Sequence, residues 1–218
     1  MPVPTALLRI AYDDLSSLLS SLTDEEGWQP TGCAGWTPVD LGFHLLGDAR
    51  RALVALASPA PGPADTDRVS YWRSWQPPED DDDLRRTRAA ASIGLPYADL
   101  IETYSDTTDA VLVSAGRVGP GDLVRTQGHV LAVGDLLSTL AVEAAVHHLD
   151  LVAHLDRPGP AAQPLAEVRR VLTGLLGHPL PAGWDDATAV RRGTGREALT
   201  DADRAELGEA AAAFPLFG

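Results

Sequence analysis

The sequence predicts an all-helical fold: a four-helix bundle followed by a C-terminal helical extension. Three observations carry this expectation. Apolar residues recur at spacings of three and four through four long segments, helix-start signatures stand at Thr37 and Thr200, and no pair of well-alternating strands appears.

From Thr5 to Leu22, residues Leu7, Leu8, Ala11, Leu15, Leu18, Leu19 and Leu22 share one helical face. This first helix stops near Asp24 to Gly27, and a Trp-rich connection leads to Thr37-Pro38-Val39-Asp40. A capping threonine, a proline at the first helical position and an acid two residues later mark the start of a second helix that runs to about Ala57. Ser58 to Arg85 reads as loop: Pro-rich, then aromatic, then a Pro-acid run whose Glu79 to Asp83 is expected to be solvated. A connection of about 28 residues is long against a median of ~4–6. It suits a crossover between helices that are not hairpin neighbours, or a cover over a site.

Leu95 to Val118 reads as the third helix, with Leu100, Ile101, Tyr104, Thr108, Val111 and Leu112 on one face. After a Gly119-Pro120-Gly121 break and a short polar segment, Val133 to Leu155 makes the fourth. Further helical patterns cover Pro164 to Gly177 and a capped start at Thr200 running to Ala213, while the stretch between them is polar and partly β-like. The expected division is residues 1–157 as the bundle and 158–218 as the extension packed on it.

Composition narrows the function. The chain has 218 residues, 44% hydrophobic and 22% charged, within the globular range. With 17 basic residues against 31 acidic, a net charge of −14 argues against nucleic acid or an anionic membrane as partner. All the basic residues are arginine, so no lysine serves a Schiff base or a Walker-type phosphate loop. The single cysteine, Cys33, permits no internal disulfide and no Cys-x-x-Cys pair. No secretory leader or spanning segment is evident, and the expected compartment is the cytoplasm.

Glu143 and His147 lie four residues apart and share a helix face whose other members are apolar. A carboxylate and an imidazole on such a face cost free energy unless paired or liganded. His44, among Val39, Leu41, Phe43, Leu45 and Leu46, is the candidate partner on a facing helix. Two imidazoles and one carboxylate would make a three-ligand metal site with a fourth position open to water or substrate. The plainer alternatives are an ion pair for Glu143 and His147 and a hydrogen-bonded core histidine for His44. Asp40 is either a capping acid or a carboxylate that orients a ligand; Asp150 either orients a ligand or faces solvent.

The remaining residues read more plainly. His148 lies off the Glu143 face, His129 belongs to a loop or to the lead-in of a helix, and Cys33 is a buried structural thiol. Trp28, Trp36, Trp72 and Trp75 could line a pocket, with core packing as the default. Gly193-Thr194-Gly195-Arg196, with Arg191 and Arg192, is either an anion cradle or a tight turn.

Together, Trp36-Thr37-Pro38-x-Asp40-Leu41-x-x-His44-Leu45 and Glu143-x-x-x-His147-x-x-Asp150-Leu151, in this order and about 100 residues apart, resemble the mycothiol-dependent maleylpyruvate isomerase family of the DinB-like superfamily. The resemblance spans roughly residues 5 to 155. It implies a DinB-like bundle with up-up-down-down connectivity and a divalent metal, usually zinc, held by His44, Glu143 and His147. It also implies a low-molecular-weight thiol, mycothiol in actinobacteria, and the lysine-free, Ala- and Arg-rich composition fits a GC-rich actinobacterial genome. The partners implied are that thiol and an electrophilic small molecule, in a monomer or homodimer. The segment from about residue 160 does not match the separate C-terminal domain of the authentic isomerase, but resembles the short tail of smaller members.

The expected activity is S-transfer or isomerisation by a metal-activated thiol. A zinc hydrolase assisted by Asp150 or Asp40, and a non-catalytic metal-binding module, are the competing functions.

Overall fold

A computed structural model describes residues 4–74, 87–88 and 96–217. Trp75, the Glu79 to Asp83 run and Leu95 lie outside the described residues. Four long helices appear where the apolar periodicity places them: α1 (Pro4–Ser21), α2 (Pro38–Leu56), α3 (Tyr97–Ala115) and α4 (Val133–Val152). They share one apolar core that runs from Leu8, Leu15 and Leu19 of α1 through Leu41 and Leu46 of α2 and Leu100 and Tyr104 of α3 to Leu137 and Leu151 of α4. In this core α1 packs on α4 and α3, and α2 packs on α3 and α4.

Contacts at the helix ends fix the directions. An added Cβ on Gly134, at the start of α4, would come within 3.6 Å of Pro4 at the start of α1, so these two helices run the same way. The Gly42 position near the start of α2 meets Leu100 near the start of α3, so these two also run together. Tyr97, at the start of α3, donates its hydroxyl to the carbonyl of Leu19 near the end of α1, at 3.0 Å. The order is therefore up-down-down-up, and the expected up-up-down-down connectivity is corrected. Because α2 and α3 are parallel neighbours, the end of α2 lies about a helix length from the start of α3, too far for a short hairpin turn to join them. This is the physical reason for the long crossover.

The first part of the crossover is pinned to an element the sequence reading did not anticipate. Strands β1 (Leu123–Thr126) and β2 (His129–Ala132) form an antiparallel hairpin between α3 and α4. Its turn residues, Gln127 and Gly128, have φ of 47° and 84°, the primed turn that matches the twist of a two-residue hairpin. The amide of Arg125 donates to the carbonyl of Ser58, and that of Ala60 to the carbonyl of Leu123. His129 thus begins a strand, where it faces Asp65.

The C-terminal part forms α5 (Ala162–Leu176), α6 (Asp186–Gly193), α7 (Asp201–Leu207) and a closing 3-10 segment, Gly208–Ala213. The stretch expected to be partly β-like is the helix α6, capped by Asp185, whose side chain accepts from the Thr188 amide. The capping box expected at Thr200 and Asp203 is present. A second apolar cluster joins Val142, Ala145 and Val146 of α4 to Val168, Val171 and Leu172 of α5 and to Trp184, Val190 and Phe217. α4 is therefore covered on both sides, which explains why apolar residues surround it almost completely. Among the described residues no helix is long and apolar enough to cross a membrane.

Candidate metal centre

Each of the three expected donors is placed by a local signal. On α2, the Thr37 side chain accepts from the Asp40 amide while the Asp40 carboxylate accepts from the Thr37 amide at 2.9 Å. This reciprocal cap, with Pro38 in the first turn, fixes where the helix begins and hence the face on which His44 lies. Asp40 therefore has the capping role; its carboxylate also lies 3.5 Å from the Arg88 guanidinium. On α4, one helical turn separates Glu143 from His147, and their side chains meet with Oε2 3.2 Å from Nε2.

The His44 ring stands edge-on to the His147 ring, with centroids 4.9 Å apart. Donor atoms of His44, Glu143 and His147 all lie within 4.8 Å of one another, and all three side chains are half-buried. The structure thus brings together the trio that the sequence spacing singled out. Two further contacts bear on His44: Asp48, one turn on, lies 3.4 Å from its Nε2, and the Trp36 ring meets its ring edge-on at 5.6 Å. Of the four tryptophans considered, Trp36 borders this centre. Trp72 is core, stacked on Phe217, and Trp28 is 69% exposed.

Asp150 does not face solvent but meets His147. It is only 1% exposed, and its Oδ2 lies 2.9 Å from His147 Nδ1. A carboxylate there accepts the Nδ1 proton, so that once the ring gives up its other proton the lone pair is on Nε2, on the Glu143 side. Burial pushes the Asp150 carboxyl up, but hydrogen bonds from His147 and Arg196 outweigh it and hold the group well below the usual carboxylate range. For His147, burial acts downward, while Asp150, Cys33 and Glu143 raise it well above the ordinary imidazole value.

Several residues beside the centre escaped the sequence reading. Cys33, expected as a structural thiol, donates its S–H to Asp150 Oδ2 at 3.1 Å and lies 4.0 Å from His147 Nδ1. With His147 and Asp150 it forms a second group whose donor atoms could gather around an ion. Arg196, however, already holds both oxygens of that carboxylate, at 2.7 and 2.8 Å. Gly32 lies so close to α4 that a Cβ on it would meet Asp150 Oδ1 at 2.7 Å, and its amide donates to the Asp150 carbonyl at 2.8 Å. Asp48 carried a usable signal, the same four-residue spacing from His44 that links Glu143 to His147. Cys33 and Arg196 carried none, because they reach Asp150 across 117 and 46 residues of chain.

The other expectations resolve without chemistry. His148 points away from Glu143, with Nε2 3.2 Å from the Pro158 carbonyl. Arg191 and Arg192 pair with Glu197, and Arg192 also with Asp203, so the Gly193 to Arg196 segment is a turn rather than an anion cradle.

Residues 8–152 match the model of the family described as the mycothiol maleylpyruvate isomerase N-terminal domain. Among curated proteins, none matches the chain. Among solved structures, the crystal structure of the mycothiol-dependent maleylpyruvate isomerase resembles it with a TM-score of 0.55 at 19% sequence identity, covering 81% of this chain and 70% of that one. That coverage exceeds the share of the chain spanned by residues 8–152, so the likeness in fold takes in part of the C-terminal extension.

Proposed function

Because the chain belongs to the mycothiol maleylpyruvate isomerase N-terminal domain family, we propose that it is a metal-dependent enzyme that activates a low-molecular-weight thiol, mycothiol, against an electrophilic small molecule. The outcome is isomerisation, or S-transfer where the sulfur stays on the product. The single observation that carries this reading is the convergence of His44, Glu143 and His147 donor atoms within 4.8 Å. Two imidazoles and a carboxylate suit zinc or another first-row divalent ion, and three protein ligands leave a position for an exogenous one. When bound, such an ion keeps a coordinated thiol deprotonated at neutral pH.

The chain's own residues prepare that chemistry. Glu143 brings one negative charge, so a divalent ion on the trio keeps a net charge of +1 that a thiolate neutralises. Asp150 holds the Nδ1 proton of His147 and so directs Nε2 toward the centre. The Trp36 ring shields His44 from one side, while half-buried Glu143 leaves an approach from solvent. We assign the donors to residues 1–157, with residues 158–218 packed over α4.

The hydrolytic alternative needs a free carboxylate as helper, and neither candidate is free. Asp40 caps α2, and Asp150 already serves Arg196, His147 and Cys33.

Elemental analysis of the purified chain, with thermal-shift titrations of mycothiol and unrelated thiols, tests the proposal. About one divalent ion per chain is expected, together with protection by mycothiol that disappears when the metal is removed. A chain without stoichiometric metal, or a His44→Ala variant with unchanged zinc affinity, would defeat the metal reading. Turnover that persists without any thiol would return the hydrolase.

A further inference from the structure

Asp150 is the most heavily partnered carboxylate beside the candidate centre, and its strongest partner comes from outside residues 8–152. Arg196 reaches it as a fork, with Nε on Oδ1 at 2.7 Å and Nη2 on Oδ2 at 2.8 Å. The arginine is itself held in place. Its amide donates to the Arg191 carbonyl at 2.8 Å, and its Nη1 to the Thr194 carbonyl at 3.2 Å. Gly195 takes the left-handed conformation, with φ 77°, that turns the chain toward α4. At Gly193 a Cβ would strike Leu172 of α5 at 2.6 Å, so α6 lies closely on α5 there. The Leu216 amide closes the turn from the other side by donating to the Gly193 carbonyl at 2.8 Å.

We propose that Arg196 is a positioning residue of the metal centre. It acts through Asp150 on His147, so the C-terminal extension completes a site whose ligands all lie in the four-helix part. This rests on the metal reading above. A lone carboxylate can rotate about its last bond; a two-pronged guanidinium fixes its plane. With that plane fixed, Oδ2 faces His147 Nδ1, and both the ring orientation and the proton position of His147 follow. A lysine could bring the charge but not the fork. The same contact makes the Cys33, His147 and Asp150 group a poorer cation site than the trio, because a guanidinium already neutralises its carboxylate.

The test is zinc affinity of the full chain by competition with a chromophoric chelator, paired with ¹⁵N spectra of the zinc-loaded imidazoles. Arg196→Gln is expected to retain wild-type helicity and bind zinc about 10–100-fold more weakly. The His147 Nδ1 proton signal should weaken alongside, and Arg196→Lys should fall between the two. Combined with Asp150→Asn, Arg196→Gln should add nothing, since both act through one carboxylate. Wild-type zinc affinity in a folded Arg196→Gln would overturn the proposal. Should that variant not fold, Asp150→Asn decides: undiminished zinc affinity there overturns it equally. His44→Ala is measured in parallel, and unchanged affinity in that variant sinks the metal reading itself, distinct from a failure at Arg196 alone.

Discussion

Two carboxylates in this molecule, Asp150 and Glu167, are each only 1% exposed, and each is served by arginine. Asp150 sits near the end of α4 and receives Arg196, His147 and Cys33. Glu167 sits on α5 and receives the hydroxyl of Ser138 from α4 and the guanidinium of Arg170, with Arg68 of the crossover 3.9 Å away and also bonded to Asp135. Both arrangements tie a later or looping segment to α4 through a buried charge. Only one of them touches a titratable side chain with a donor atom to spare. Burial and an ion pair therefore mark a structural joint in both places, and only the contact with His147 ties one of them to the candidate centre.

The largest effects should come from the trio itself. His147→Ala and Glu143→Ala each remove a donor, and both should lower zinc affinity by more than about 100-fold, beyond the cost of losing a residue that merely supports a ligand. Glu167→Gln should leave that affinity within about twofold, because it shares no partner with the trio. Equal losses from both regions would erase the distinction. Next in size, Asp150→Ala strands Arg196 and should destabilise the metal-free chain by about 3–5 kcal/mol in denaturant unfolding. It should also weaken zinc binding about 10–100-fold. Glu167→Ala should destabilise to a similar degree with zinc affinity intact.

The pH dependence sharpens the contrast further. His147 is held above its ordinary pKa when folded, so its contribution to stability is full below ~6.5 and is lost as pH rises through the folded value. In the metal-free protein the stability difference between the wild type and His147→Gln should shrink as pH climbs above neutral. Zinc must displace that proton, so zinc affinity should rise with pH over the same range. Asp150 behaves oppositely: held low when folded, it stabilises above ~3.9 and loses that contribution as pH falls. Smallest of all, Cys33→Ala removes one of several donors to Asp150 and should cost about 1 kcal/mol or less, with little change in zinc affinity.

Much of this was readable in the sequence, for physical reasons that also explain the omissions. Periodicity of 3.6 marks the face of each long helix, and capping chemistry fixes the start of α2. His44, Glu143 and His147 stand out because polar groups on an apolar face demand a partner. The hairpin stayed hidden because its turn places Gln127, not the customary Asn or Asp, at positive φ. The up-down-down-up order is a matter of helix direction, which periodicity does not encode; the long crossover indicated only helices that are not hairpin neighbours, or a cover over a site. Asp150 was ambiguous on a helix with apolar residues on nearly every side. Arg196 was legible only as part of a short glycine turn, because its partner lies on another helix.

Gly32 offers a marker for comparing relatives of this chain. Its hydrogen atom occupies the place where any other residue would put a carbon against Asp150. Substitution at position 32 and loss of the Asp150 to His147 contact should therefore be inherited together. Among relatives that keep all three donor residues, a bulky side chain at the position of Gly32 would identify lineages that orient the second histidine by other means.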